Sequence, residues 1–485
     1  MRLRMSRHLS SILRFEPAPA VLRTLAVEAR GVKPLIRTEP VLPPEFSWHD
    51  YAVLLLHIAA EVEHALMVQY LYAAYSLGGP QVPQKHRERV RHWQEVVLGI
   101  AKEEMGHLIT VQNVLRLIGG PLNLDREDYP WGSEFYPFEF TLEPLTKDSL
   151  ARYIFAEMPA GWDTEEAREI KKRAAKGSSG QQALHRVGEL YDRMQKVLAH
   201  PEYLKDSDFQ AATTTFQASW DEWGRGYVRG ARGQATASPR QATPDVIVQP
   251  VSTRDAAVEA LAAVGKQGEA RFYDQDLEEK SHFRRFLEIY REYPEGEWTP
   301  TRPVPTNPKT ELNLNASRVV RATLGKARAA AVPESVTISH PESVTWAHLF
   351  NLRYRMLLVN LSHAYQLAGA TGQGDALTPR GLLINRTFGE MYNVRSISNI
   401  LVQLPLDESG SGAVAAPPFE MPYSLELPDS EVDRWRLHRD LLVAARDLTQ
   451  SLRNRYPERH TDYLQALEAM DEEALASVRR MIPKS

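Results

Sequence analysis

Residues 102–111 read KEEMGHLITV, and residues 277–286 read LEEKSHFRRF. Both carry Glu-Glu-x-x-His followed by apolar residues, the one internal echo in the chain. A glutamate three residues before a histidine shares its helix face. Carboxylate and imidazole can then reach one metal ion, and the carboxylate can bridge to a second. Dinuclear carboxylate sites in four-helix bundles use one Glu from each of two helices and a Glu-x-x-His from each of the other two. The expected fold is therefore mainly α, with a four-helix bundle built around Glu104, His107, Glu279 and His282.

Periodicity decides which acids face inward. Glu104 shares a stripe with Val97, Ala101, Leu108, Val111 and Leu115, and His107 lies with Ile100, Val111 and Val114. An ionised carboxylate on an apolar stripe is costly unless it is paired or metal-bound. Glu103 falls at the edge of that stripe and reads as solvated. Glu279 lines up with Phe272, Phe283, Phe286 and Ile289, whereas Glu278 falls on a polar face. In the preceding helix, Glu61 and Glu63 are two residues apart and cannot both face the core. Glu63 lies with Ala59, Leu66 and Tyr70 and is the inward choice, with Tyr70 a nearby hydrogen-bond donor. The fourth carboxylate is open. Glu189 in VGELYDRM falls beside Arg186 and Arg193, Glu269 in KQGEARF falls on an inward stripe with Ala262, Phe272 and Tyr273, and Glu157 is a third candidate before Met158-Pro159.

Working outward, Ser47-Trp48-His49-Asp50 reads as a capping box opening a helix to about residue 78. A second helix spans about 86–118 and stops at Gly119-Gly120-Pro121. Helices are expected at about 148–157, 181–199, 254–291, 343–368, 379–402 and 429–455, with a long ordered loop over 122–145, a loop over 224–251 and a Pro/Gly/Ser-rich stretch over 404–428. The chain divides into a basic N-terminal arm and extended lead-in over 1–46, a bundle over 47–292, a Pro-rich wrapping segment over 293–342 and a C-terminal helical region over 343–485. The arm reads as a surface segment, with a transit peptide the alternative.

Bulk composition excludes several classes. The 485 residues are 43% hydrophobic, carry a formal charge of -4 and contain no cysteine. Disulfides, zinc–thiolate sites and cysteine-ligated iron–sulfur clusters are thereby excluded. Histidine and carboxylate ligands remain, and these suit iron, manganese or zinc. The near-neutral charge gives no field to recruit nucleic acid or a membrane surface. No run of about 18 uncharged apolar residues is present, so no membrane span is expected. Location in the cytoplasm is the expectation. His348 and His363 on an aromatic-rich segment read as core or surface histidines rather than haem ligands. No P-loop, dinucleotide fingerprint or nucleophile elbow stands out.

The runs AAEVEHALMVQYLYAAYSL, VVLGIAKEEMGHLITVQNVLRLIGGPLNL, VGELYDRM, GKQGEARF and SHFRRFLEIY resemble the ferritin-like domain of the iminophenylpyruvate dimer synthase (VioB-like) family, over about residues 48–290. The APPFEMP run at 416–422 is similar to the tail of such proteins. The resemblance implies a ferritin-like bundle holding two iron ions, or manganese or zinc in their place. Its ligands would be Glu63, Glu104, His107, the GELY acid Glu189, the QGE acid Glu269 and His282. Ala270 departs from the family's glycine after QGE, and the short stretch from Glu269 to His282 fits one continuous helix. That spacing favours Glu279 as the partner of His282. The resemblance implies a diiron oxidase or oxygenase acting on an amino-acid-derived small molecule or peptide. Such an enzyme takes dioxygen and an external electron donor, and a homo-oligomer is compatible with it. An iron store or a metal-free scaffold is the rival.

Overall fold

The computed structural model describes residues 40–126, 138, 140–159, 161–176, 186–219, 246, 248, 250–268, 281–310, 335–369, 377–421 and 425–483. Helix α1 spans Trp48–Ser76. Its first turn is held by the expected box, in which the Ser47 side chain accepts from the Asp50 amide and Asp50 accepts from the Ser47 amide. Helix α2, Arg87–Leu117, packs along α1 and ends before Gly119, whose φ of 74° only glycine adopts readily. The most apolar 18-residue window of α1 has the length and hydropathy of a membrane span, yet 83% of it is buried inside the fold. That burial marks the central helix of a bundle, hydrophobic nearly all round.

Short helix α3, Lys147–Ala156, opens on a Thr146–Ser149 capping box and packs on α4, Glu165–Lys176. The amphipathic α4 has no counterpart among the expected elements. Helix α5, Val187–Ala199, and helix α6, Arg254–Gly268, pair with each other. Helix α5 lies against α1 and α6 against α2, which closes the four-helix core. Helix α7, His282–Glu292, packs on α3 and α2.

The helix expected over 254–291 is corrected here. Ser281 has φ -59° and ψ 164°, and its side chain accepts from the Arg284 amide, so α7 starts anew with an N-cap. The non-helical angles at Ser281 separate His282 from the helix ending at Gly268, and the pairing of Glu279 with His282 falls on a residue that is not described. Both Glu269 and Glu279 lie outside the described residues.

The remainder is a second helical layer. Helices α8 (Pro341–Ala364) and α9 (Pro379–Leu401) pair closely. Helix α10 (Glu431–Arg455) packs on α8 and turns into α11 (Thr461–Met481), which the sequence reading did not anticipate. A two-residue parallel pair, Pro308–Lys309 with Val336–Thr337, is the one small sheet among the described residues. The apolar core runs without a break from α1 and α2 through α8 to α11. His64 on α1 meets the Tyr354 hydroxyl on α8 at 2.5 Å, and buried Arg126 donates to that hydroxyl and to the Phe419 carbonyl.

Candidate metal centre

Glu63 on α1 and Glu104 and His107 on α2 are fully buried and turned toward one another. His107 Nδ1 is 2.9 Å from Glu104 Oε2 and 3.3 Å from Glu63 Oε2. On the other side of Glu104, Oε1 is 2.9 Å from His282 Nδ1 at the start of α7. His282 Nδ1 also lies 3.9 Å from Glu157 Oε1, just past the end of α3. Two ligand sets result, Glu63–Glu104–His107 and Glu104–Glu157–His282, each with its donor atoms within 4.8 Å of one another. Glu104 belongs to both.

Helix ends build this geometry. The Ser281 cap fixes the first residue of α7, which is His282. Glu157 takes the C-terminal cap position of α3. Gly268 ends α6 against it, and a Cβ there would sit 2.7 Å from Glu157 Oε2. A side chain at 268 would occupy the space the carboxylate needs. Val187, Gly188, Tyr191, Val264 and Gly265 complete the wall around the acids.

Glu63, Glu157, His282 and His107 each have an outer contact. The Tyr191 hydroxyl donates to Glu63 Oε1 at 2.7 Å, and the Tyr70 hydroxyl donates to Glu157 Oε1 at 2.9 Å. The Nε2 atom of His282 is 2.8 Å from Glu103 Oε2, and Glu103 is itself paired with Arg285. An ionised carboxylate can only accept, so His282 Nε2 carries the proton and Nδ1 is left facing the acids. His107 Nε2 sits 2.9 Å from Gln267 Oε1, which gives the same tautomer, with Nδ1 again turned inward.

Electrostatics tie these groups together. Burial raises the Glu63 carboxyl, Glu104 raises it further, and contact with His107 only partly offsets this, leaving it at about 8. For Glu104 burial works the other way from its neighbours, and His282 and His107 hold it well below the carboxylate range. His107 is lifted to about 10 because Glu104 and Glu63 outweigh its burial. Burial would lower His282, but Glu104 and Glu103 hold it well above the usual imidazole value. The acids thus retain protons on the imidazoles as their counter-charge, the role a bound cation takes when such ligands deprotonate. Glu63 Oε2, Glu104 Oε1 and His282 Nδ1 are buried and make no well-aligned hydrogen bond, their near neighbours being the other ligand atoms of the cluster. Ligand atoms of three residues gathered in this way fit a pair of metal ions.

Of the residues expected from the sequence, Glu63, Glu104, His107, His282 and Tyr70 come together. Glu189 does not. Its side chain is 54% exposed and bonded to Arg186 at 2.7 Å, on the polar face that periodicity assigned it. Among the described residues it is Glu157, the third candidate, whose carboxylate joins the cluster. The inward residue of that motif is Tyr191, at the i+2 position. Glu103 is also a correction, because it is fully buried rather than solvated. The signal for it was Arg285, three residues beyond His282. His363 is a core histidine, bonded to His438 and Glu431.

A model of the ferritin-like family matches residues 56–291. The chain is 25% identical over 406 residues to a dichlorochromopyrrolate synthase of Lentzea aerocolonigenes, a match covering 76% of this chain and 36% of that protein. It is 31% identical over 131 residues to a 2-imino-3-(indol-3-yl)propanoate dimerase of Chromobacterium violaceum, covering 21% of this chain and 13% of that one. The chain therefore spans well under half the length of these relatives. A solved ferritin-like protein from Caulobacter vibrioides superposes with a TM-score of 0.41 at 16% identity, over 78% of this chain and 99% of the other.

Proposed function

We propose that this chain, whose residues 56–291 match the ferritin-like family model, is an oxidase-type enzyme of natural-product biosynthesis whose centre holds two iron ions. The observation that carries this reading is Glu104, which offers one oxygen to each of two buried histidines. Glu63 and His107 would complete the ligands of one ion, and Glu157 and His282 those of the other. Bound iron supplies the redox chemistry needed to use dioxygen, which side chains alone do not perform.

The protein's own residues set the surroundings. Tyr70 and Tyr191 stay protonated at any physiological pH, because burial first and the neighbouring carboxylates second push both phenols well above their usual value. Each phenol fixes one rotamer of its carboxylate and holds a proton one hydrogen bond from a ligand oxygen. Val187 and Val264 keep the wall apolar, and that limits water beside the acids. The absence of cysteine leaves no iron–sulfur relay in the chain, so reducing equivalents come from the substrate or from an external donor.

The names of the two relatives refer to an indole-bearing imino acid and a chromopyrrolate product. An amino-acid-derived small molecule is accordingly the substrate class we infer. Metal analysis of protein from iron-supplemented cells tests the centre. About two irons per chain, absent from Glu104→Ala, is the expected result. A wild-type chain without metal overturns it. Oxygen uptake that depends on an added amino-acid-derived imine then separates an enzyme from an iron store.

A further inference from the structure

The two ligand sets match in nearly every respect. Among the described residues each has one private glutamate, one histidine that turns Nδ1 inward and a share of Glu104 at 2.9 Å from that nitrogen. Each private glutamate accepts from one buried tyrosine, at 2.7 Å for Glu63 and 2.9 Å for Glu157. The difference lies behind the histidines. His282 donates its Nε2 proton to the buried carboxylate Glu103, whereas His107 donates to the neutral amide of Gln267.

That difference has a direct consequence for metal affinity. A hydrogen bond to an ionised acceptor is stronger than one to an amide. It pulls the Nε2 proton away from the ring and makes Nδ1 the more basic donor. Arg285 reaches both oxygens of Glu103 through its two terminal guanidinium nitrogens, the two-point pairing that suits a carboxylate. Gln267 cannot act in this way, because an amide carries no charge.

We propose that the two metal positions are unequal by construction, with the Glu104–Glu157–His282 position binding its ion first and more tightly, and with Glu103 as the positioning residue responsible. This rests on the dinuclear reading of the centre given above. It makes the Glu63–Glu104–His107 position the weaker and more exchangeable one.

Anaerobic titration of the metal-free full chain with ferrous iron, followed by calorimetry, tests the inequality without recourse to activity. The wild type is expected to show two successive binding events separated by about 10–100-fold in affinity, the usual weight of a carboxylate behind a ligating histidine. Glu103→Gln should weaken the first event by about that factor and merge the two. Gln267→Glu, which places a carboxylate behind His107, should strengthen the second event and also merge them. It keeps the inference testable if Glu103→Gln does not fold. Two ions taken up with a single affinity by the wild type overturn the inequality and leave the dinuclear centre standing. Two events whose separation survives both substitutions overturn the role of Glu103. No uptake of iron removes the centre itself, and the inequality with it.

Discussion

Glu104 presents one carboxylate oxygen to each of two histidines, and its neighbours differ in how much they share of that arrangement. Removing it should empty both positions, whereas Glu157→Gln should lower iron to about one per chain, since only one ligand set contains it. Glu189→Gln should leave the metal content unchanged, because that side chain is exposed and bonded to Arg186. Iron per chain in the three variants, by elemental analysis, checks this ordering, and loss of iron in Glu189→Gln contradicts it. Gly268→Ala is a finer probe. The added methyl would meet Glu157 Oε2 at 2.7 Å, while Glu157 Oε1 is held by Tyr70, so the carboxylate must swing away. Weaker iron binding with a melting temperature near that of the wild type is expected. At this scale the sequence was legible where ligands sit on long helices. Glu63, Glu104 and His107 follow from the 3.6-residue period on α1 and α2. Glu157 does not, because it stands at a helix end, where periodicity gives no direction. Glu103 was misread because its partners, His282 and Arg285, come from an element about 180 residues away.

Helix ends rather than helix faces position half of the centre, so the caps carry functional weight. Ser281→Ala removes the side-chain acceptor for the Arg284 amide at the first turn of α7. It should cost about 1 kcal/mol of stability, and it should also loosen His282, the next residue. Denaturant unfolding with and without iron separates the two effects. A larger loss in the iron-loaded protein is expected, and an equal loss in both states would mean that the cap does not orient the ligand. The break before α7 was hidden from the sequence because Ser-His also fits a helix interior, and only the backbone angles at Ser281 reveal the cap. In the second layer, α8 and α10 meet through a chain of two buried histidines. His438 Nε2 donates to His363 Nδ1 at 2.9 Å, and His363 Nε2 donates to Glu431, which also holds Trp435. Burial, with Arg386 and His363 alongside, depresses His438 well below its ordinary 6.5. His363 is lowered as well, by burial that Glu431 only partly offsets. The unfolded chain therefore binds more protons than the folded one below about pH 6.5, and these histidines lose stability as the pH falls through that range. Thermal melts should show a steeper acid-side decline in the wild type than in His438→Gln. Parallel declines would exclude the pair as the cause.

The two helical layers share one core, and polar contacts fasten them at several points. Arg116 on α2 donates to the Tyr365 carbonyl at 2.6 Å, and Arg126 bridges to Tyr354 and Phe419. Of this union the sequence showed only the parts. The C-terminal helices were legible as apolar segments, but α11 was missed because its single inward stripe, Leu464, Leu467, Leu475 and Val478, is interrupted by Asp471. That aspartate is paired with buried Arg353 on α8, a partner invisible without the fold. Arg380 at the start of α9 is the fastening most easily tested. It is 2% exposed and, among its partners, donates to the carbonyls of Phe216 and Gln217 beside the bundle and of Ala364 and Leu367 at the end of α8. Replacing it with alanine strands buried acceptors on both layers, each costing about 1–3 kcal/mol when left unsatisfied. The wild type, with a continuous core, should unfold by calorimetry in a single transition, and iron should shift that whole transition upward, because a ligand of the folded state stabilises everything that unfolds with it. Arg380→Ala should lower the melting temperature by several degrees and split the transition, with iron then raising only the component that contains α1 and α2. A wild type that already melts in two steps, or an iron shift confined to one of them, would mean that the C-terminal helices fold independently of the metal centre.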